Sequence, residues 1–416
     1  MKKTYLAIRI ALFALILSLG SLAAMVAGET QGLALADLSG APVQALAGAA
    51  GGDTLYAALA DGAGQDGVYR SQDGGATWLK VGGGPGGVIS ALAVHPDDPA
   101  LLYAGTAATT SVLWGSRDGG QSWQPSPLGL PASPQGWTPG ITALAVDARQ
   151  PGVLYVGTDG QGVYRFDTDP LRYGFEVLGG LQLHSAHVKR LVVGPDSRVY
   201  AITNDGLFVY DPLPQPLPLL GGGARGGGWQ ALSLPELAAS LAAAPGDPRT
   251  LYAGGVSTGV YRSTDAGQTW ERADNGLEAP AGAALRITAL AVAGDDARHV
   301  MAATAYGLGN GMAPGGVYES RDGGRNWTKL GDAAGLVTQL SFNRGAVYAA
   351  SPSGLARYGE ISRSGLARNL PGWQAGGSRL GSLANPNGVQ ALILVLTLAL
   401  AGLAVAGRTE WVLKKR

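Results

Sequence analysis

The chain has 416 residues, and 67 of them are glycine, about twice the usual share and without the every-third-residue period of collagen. Only 14% are charged while 46% are hydrophobic, which excludes a disordered polyelectrolyte and leaves ample apolar material for a core. Thirty basic residues cancel thirty acidic ones, so no global field selects nucleic acid or acidic lipid, and the absence of cysteine excludes disulfides, thiolate metal sites and cysteine nucleophiles.

At the N-terminus Lys2, Lys3 and Arg9 precede an uncharged run over residues 10–28 that ends on small residues. A basic start, an apolar middle and a small-residue end read residues 1–28 as a signal peptide or, given the length of the run, an uncleaved signal anchor.

Between residues 32 and 376 one pattern occurs seven times. An apolar–tyrosine pair recurs at Leu55-Tyr56, Leu102-Tyr103, Leu154-Tyr155, Val199-Tyr200, Leu251-Tyr252 and Val347-Tyr348, with Val300-Met301 in the sixth slot. A small-apolar run precedes each pair, as in Ile89 to Val94 and Ile141 to Val146. A third segment such as Gly67-Val68-Tyr69-Arg70 follows, and a fourth starts near Trp78, Trp123, Phe175, Trp229, Trp270, Trp327 or Trp373. Four short strands in about 48 residues, separated by turn clusters, match one blade of a β-propeller. The expected fold is therefore all-β: a seven-bladed propeller of four-stranded antiparallel blades. Small residues in the first strands suit crowding around a central channel. Residues 32–38 are expected to pair with the last blade and close the ring, unless the strand near Trp373 completes it.

Behind the ring, residues 377–388 form a polar linker. Residues 389–407 carry no charge and are long enough to span a bilayer as a helix. The basic tail 408–416, with Arg408, Lys414, Lys415 and Arg416, stays cytoplasmic by the positive-inside rule. No LPxTG-type motif precedes the span. Both ends thus place the propeller on the extracytoplasmic side of the cell membrane.

The turn between the third and fourth strands carries the most specific motif, S-x-D-x-G-x-[TSN]-W. It occurs at Ser71, Asp73, Gly75 and Trp78; at Ser116, Asp118, Gly120 and Trp123; at Ser263, Asp265, Gly267 and Trp270; and at Ser320, Asp322, Gly324 and Trp327. Aspartate accepts backbone N–H bonds inside the turn, glycine supplies a positive φ, and tryptophan packs behind it. These residues resemble the Asp-box, or bacterial neuraminidase repeat, shared by sialidases, some glycoside hydrolases, sortilin-type receptors and a photosystem II assembly factor family. The resemblance implies a structural turn on the rim of a propeller, away from the ligand site. Blades three, four and seven depart from the motif. The nearest match to the Arg-Ile-Pro motif of sialidases is Arg286-Ile287-Thr288, late in the chain and without proline. Sortilin-type receptors need a larger ring and cysteine-rich modules. The assembly factor family fits in size but lacks the C-terminal span.

Hairpins alternate between the two faces of a propeller, so the Asp boxes share one face with the first-to-second strand loops. The opposite face is expected to carry the longest loops, at residues 124–140, 177–188, 271–286 and 304–316. Long loops on a rigid ring are where binding residues concentrate. The candidates there are Trp137, His184, His187, Lys189, Arg190, Arg286, Tyr306 and Asn310. His184 and His187 lack a third metal ligand in sequence. Lys189 and Arg190 enter an inner strand where other blades have Thr or Ala, and Trp137 is suited to stacking on a sugar or a protein. Asp61, Asp66, Asp159 and Asp205 lie in or near second-to-third strand turns, where Asp-Gly is ordinary turn chemistry. No cofactor, metal or nucleic-acid motif is present. The chain reads as a membrane-anchored protein-binding, scaffold or assembly module; the alternative is a glycan-active protein, hydrolase or carbohydrate-binding, of the BNR-repeat type.

Overall fold

The computed structural model describes residues 38–358 apart from residues 39, 49–51, 61–66, 83, 86, 107–112, 127–129, 131–137, 169–173, 179–186, 213–227, 295, 310 and 344–345. The terminal apolar runs, the linker and Trp373 lie outside the described residues. Among the described residues no helix is long and apolar enough to cross a membrane.

The sequence period becomes seven antiparallel sheets, each a meander in chain order, six with four strands and the last with three described strands. The inner strands are Val43–Gly48, Ile89–Val94, Ile141–Val146, Val188–Val193, Ala238–Ala243, Ala284–Val292 and Gln339–Asn343. Each packs beside the inner strands of both neighbouring blades, and the first meets the seventh, so the ring is closed. The second strands, which contain the tyrosines, are buried on both faces because a blade is sandwiched between two others.

Two-residue periodicity then decides which neighbour each side chain meets. Tyr56 and Ala58 pack with Ile89 and Leu102 of blade two. Leu55, Ala57 and Leu59 pack with Tyr348 and Ala350 of blade seven. The core is accordingly divided into seven wedges, one per blade–blade interface.

Ring closure involves the N-terminal segment. The Leu355 N–H donates to the Leu38 carbonyl at 3.2 Å, and the Gly40 N–H to the Ser353 carbonyl at 2.9 Å. Moving two residues forward on one segment moves two back on the other, so Leu38 and Gly40 sit antiparallel to Ser353 and Leu355, at the start of Gly354–Tyr358, the last described strand of blade seven. The expected pairing of residues before the first inner strand with the last blade is seen at these two positions; residues 32–37 lie outside the described residues.

One expectation changes. Residues 304–316 are not a long loop: strands Val300–Leu308 and Gly311–Ser320 continue as a hairpin past the length of other blades. A bulge between Ala303 and Ala305 permits this, with the Thr304 hydroxyl accepting from the Gly316 N–H at 2.9 Å. Gly315 is required there, since a Cβ would lie 2.3 Å from Thr304 Oγ1. Similarly, Ala284–Arg286 belong to the inner strand of blade six rather than to a connection.

Candidate functional site

The four Asp boxes are built alike. In each, the serine hydroxyl donates to the aspartate at 2.8–2.9 Å and accepts from the box glycine N–H at 2.7–2.9 Å. The aspartate also accepts from the backbone and side chain of Thr77, Ser122, Thr269 or Asn326. Every box turn is tied to its own blade's first-to-second strand loop: Gly74 to Asp53, Gly119 to Ala100, Ala266 to Arg249 and Gly323 to Arg298. The carboxylates are thus spent on the turn, as the resemblance implies. In three interfaces the preceding blade's tyrosine hydroxyl donates to this same face, Tyr56 to Pro99, Tyr252 to Ala297 and Tyr348 to Gly74. That face is a set of structural latches.

The opposite face, where every inner strand starts, opens into the central channel. The inner strands share a register that repeats seven times: a first apolar residue, a residue at a bulge, a third residue and a leucine. The leucines are Leu46, Leu92, Leu144, Leu191, Leu241, Leu290 and Leu340. Register shifts mark the bulge in the first six blades. A bulge re-aims a side chain, and here the bulge residues are Gln44, Ser90, Thr142, Lys189, Ala239 and Thr288, followed by Thr338 in blade seven. All except Ala239 are polar, and all seven line the channel. Small hydroxyls at these two positions also join blades: Thr142 donates to the Val188 carbonyl at 2.6 Å, Ser240 to the Ile287 carbonyl at 2.8 Å, and Ser90 to the Ile141 carbonyl.

Blade four breaks this pattern with charge. Lys189 occupies its bulge position and Arg190 the next one, where blades one, two, three and six have alanine. Those small side chains leave room for a long one. The Arg190 guanidinium crosses the channel, its Nη2 donating to the Thr288 carbonyl of blade six at 3.3 Å and to the Thr338 carbonyl of blade seven. Burial pushes this guanidinium below the ordinary arginine range, although the channel still admits some solvent to the side chain. Arg286 at the start of blade six faces the same space. The cavity measures about 610 Å³, and among the described residues no aspartate or glutamate lines it. Neither Lys189 nor Arg286 has an ion pair among the described residues.

Of the candidates, the structure brings Lys189, Arg190 and Arg286 together. His187 stands just before them at the mouth, its Nδ1 against Asp159 Oδ1, with both side chains more than half exposed. Tyr306 is not at the channel: it pairs with Leu285 across the strands and packs against the wedge between blades five and six. Trp137, His184 and Asn310 lie outside the described residues, as do Asp61 and Asp66. Among the described residues no cluster could hold a metal ion.

Sequence reasoning missed the apolar part of this face. Among the described residues, five of the seven exposed large hydrophobic ones lie here: Val88, Leu237 and Leu336 just before inner strands, and Leu308 and Met312 at the tip of the blade-six hairpin. Met312 and Leu336 reach the channel itself. The repeated bulge–small–leucine register was a usable signal for the channel lining; exposure at hairpin tips has no comparable signature.

The BNR/Asp-box repeat family matches residues 261–272, the third strand and box of blade five. Comparison with curated protein sequences gives no match. Among solved structures, the GH74 xyloglucanase from Xanthomonas campestris superposes with a TM-score of 0.56 at 16% identity, over 78% of this chain and 52% of its own. This chain therefore spans about half the length of that enzyme. YCF48 from Cyanidioschyzon merolae gives a TM-score of 0.54 at 16% identity, covering 77% of this chain and 96% of its own. A structure of YCF48 bound to D1 peptide gives 0.52 at 16% identity, over 78% and 94%. At such identities the likeness concerns fold. The chain carries BNR/Asp-box repeats on a seven-bladed β-propeller.

Proposed function

We propose that the chain is a membrane-anchored, extracytoplasmic binding module whose channel-mouth face docks an extended segment of another protein, one with acidic and apolar side chains. The observation that carries this reading is the composition of that face. Val88, Leu237, Leu308, Met312 and Leu336 are exposed around a mouth bearing Lys189 and Arg286, while the Asp-box face is consumed by internal bonds. Exposed apolar side chains beside unpaired cations suit an acidic amphipathic partner. The YCF48 structure with a bound peptide supports a protein as ligand on this fold. Anchoring rests on the apolar runs at residues 10–28 and 389–407 with their basic flanks. Glycoside hydrolysis is less well supported: it needs two carboxyl groups about 5 to 9.5 Å apart, and the described channel lining has none.

The test compares three forms of the full-length protein in mild detergent. One is unaltered, one carries Leu237→Ser with Leu308→Ser, and one carries Asp97→Ala on the Asp-box face. Proteins retained by the first and third and lost by the second are the expected result. An identical bound set on all three overturns the docking face. Hydrolysis of a glycoside that is lost on Asp159→Asn or Asp205→Asn overturns the binding-only role.

A further inference from the structure

The channel interior poses a separate electrostatic problem. Arg190 has five N–H donors, yet its only hydrogen bonds among the described residues run from Nη2 to two backbone carbonyls. Carbonyl dipoles do not neutralise a guanidinium, and a cation withdrawn from water without a counter-charge is costly. Lys189 and Arg286 add two more positive charges around the same space, and among the described residues no carboxylate lines it. Ring symmetry does not require this. Six of the seven blades fill the two corresponding positions with Ala, Ser, Thr or Gln, and these hold the ring together where hydroxyls or Gln339 bond the next blade. Blade four alone replaces both with cations, and the alanines opposite leave the head of Arg190 free to reach the middle.

We propose that the central channel binds a compact oxyanion, a carboxylate or phosphate group, held by Arg190 with Lys189 and Arg286 closing on it from the mouth. Guanidinium offers paired donors matched to two oxygens of such a group, while the lysine acts as a point charge. Thr288, Thr338 and Gln44, at neighbouring bulge positions, supply neutral polar contacts around it. A cavity of about 610 Å³ holds a phosphate or a small carboxylic acid with water to spare. The site goes beyond the docking role of the rim and does not depend on it: a free small anion and an anionic group on a larger partner present the same chemistry to Arg190.

Titration calorimetry on the full-length protein, in chloride buffer of constant ionic strength, tests the site with inorganic phosphate and with citrate as separate probes. Saturable binding of at least one probe is expected, the tighter one identifying the preferred group. Arg190→Met should weaken it at least tenfold, and Lys189→Gln and Arg286→Gln each by about three- to tenfold, the range of one lost charge-assisted contact. Should Arg190→Met fail to fold, the other two variants decide, because neither residue has an ion pair to lose among the described residues. The Leu237→Ser, Leu308→Ser protein, altered at two exposed rim residues that do not line the cavity, should bind the probe normally, which separates failure of the rim from failure of the channel. No saturable binding of either probe, or binding unchanged in the Lys189 and Arg286 variants, overturns the site.

Discussion

The Asp-box carboxylates show how one residue type fixes a turn. Asp118 is held down to about 2 first by the Ser122 hydroxyl, then by the Ser122 N–H and the Ser116 hydroxyl. Asp265 is held down to about 2 in the same way by Thr269 and Ser263. An unfolded aspartate titrates near 3.9. Because the folded value lies below the unfolded one, the contribution of these groups is complete above about pH 4 and is lost as pH falls towards about 2. Scanning calorimetry should therefore show the melting temperature dropping across that window. In Asp118→Asn with Asp265→Asn the drop should be smaller and the melting temperature at pH 7 lower; superimposable pH profiles for the two proteins would refute the account. This role was legible in sequence because the motif is local: Ser, Asp and Gly satisfy one another within eight residues. The left-handed position before the box glycine was less so, since blade five places Ala266 at φ 62° where the other boxes use glycine.

At the scale of the element, blades lock through a residue pair that spacing alone does not reveal. In three interfaces the first apolar residue of an inner strand presses into a glycine on the second strand of the preceding blade. A Cβ on Gly105 would lie 2.3 Å from Ile141 Cγ2, one on Gly157 would lie 2.7 Å from Val188 Cγ1, and one on Gly254 would lie 2.6 Å from the Ile287 side chain. Gly105→Ala should therefore cost about 1–3 kcal/mol through overpacking. Gly246→Ala, where nothing lies within 4 Å, should be nearly neutral. Urea denaturation of the two variants checks this, and equal stabilities would remove the glycine–isoleucine contact as a blade lock. Seven blades were readable because period and turn chemistry repeat along the chain. The blade-six hairpin was not, since its length depends on a bulge at Thr304 rather than on a composition change. The crossing of Arg190 was not either, because its acceptors lie 98 and 148 residues away in sequence. That blade four carries charge where its equivalents carry alanine was visible; what the charge reaches required the ring.

For the whole molecule, the interface between blades seven and one joins the ends of the ring. It must hold without a covalent link between adjacent strands, since the chain enters blade one and leaves after blade seven. Gln339 bonds both the N–H and the carbonyl of Leu46, Asn343 donates to the Gly52 carbonyl at 2.9 Å, and the Tyr348 hydroxyl donates to Gly74. Across this seam Leu38 and Gly40 bond the start of the last described strand of blade seven. Leu38 is 6% exposed and sits in the same wedge as Leu46, Tyr348 and Leu355. A bare strand edge recruits other chains, so this segment both adds apolar contact through Leu38 and, by its two bonds, occupies part of the edge at residues 353–355. Leu38→Ala should lower stability by about 2 kcal/mol in urea, at the low end for a buried leucine because the segment is short. The transition should stay single with an unchanged slope, since each blade is supported by two neighbours and a weakened seam lowers the stability of the whole ring. Light scattering below the midpoint should rise as the uncovered edge associates. A midpoint matching the parent protein would mean that the seam is held by Gln339, Asn343 and Tyr348 alone. A second, earlier transition would mean that blade seven unfolds apart from the ring.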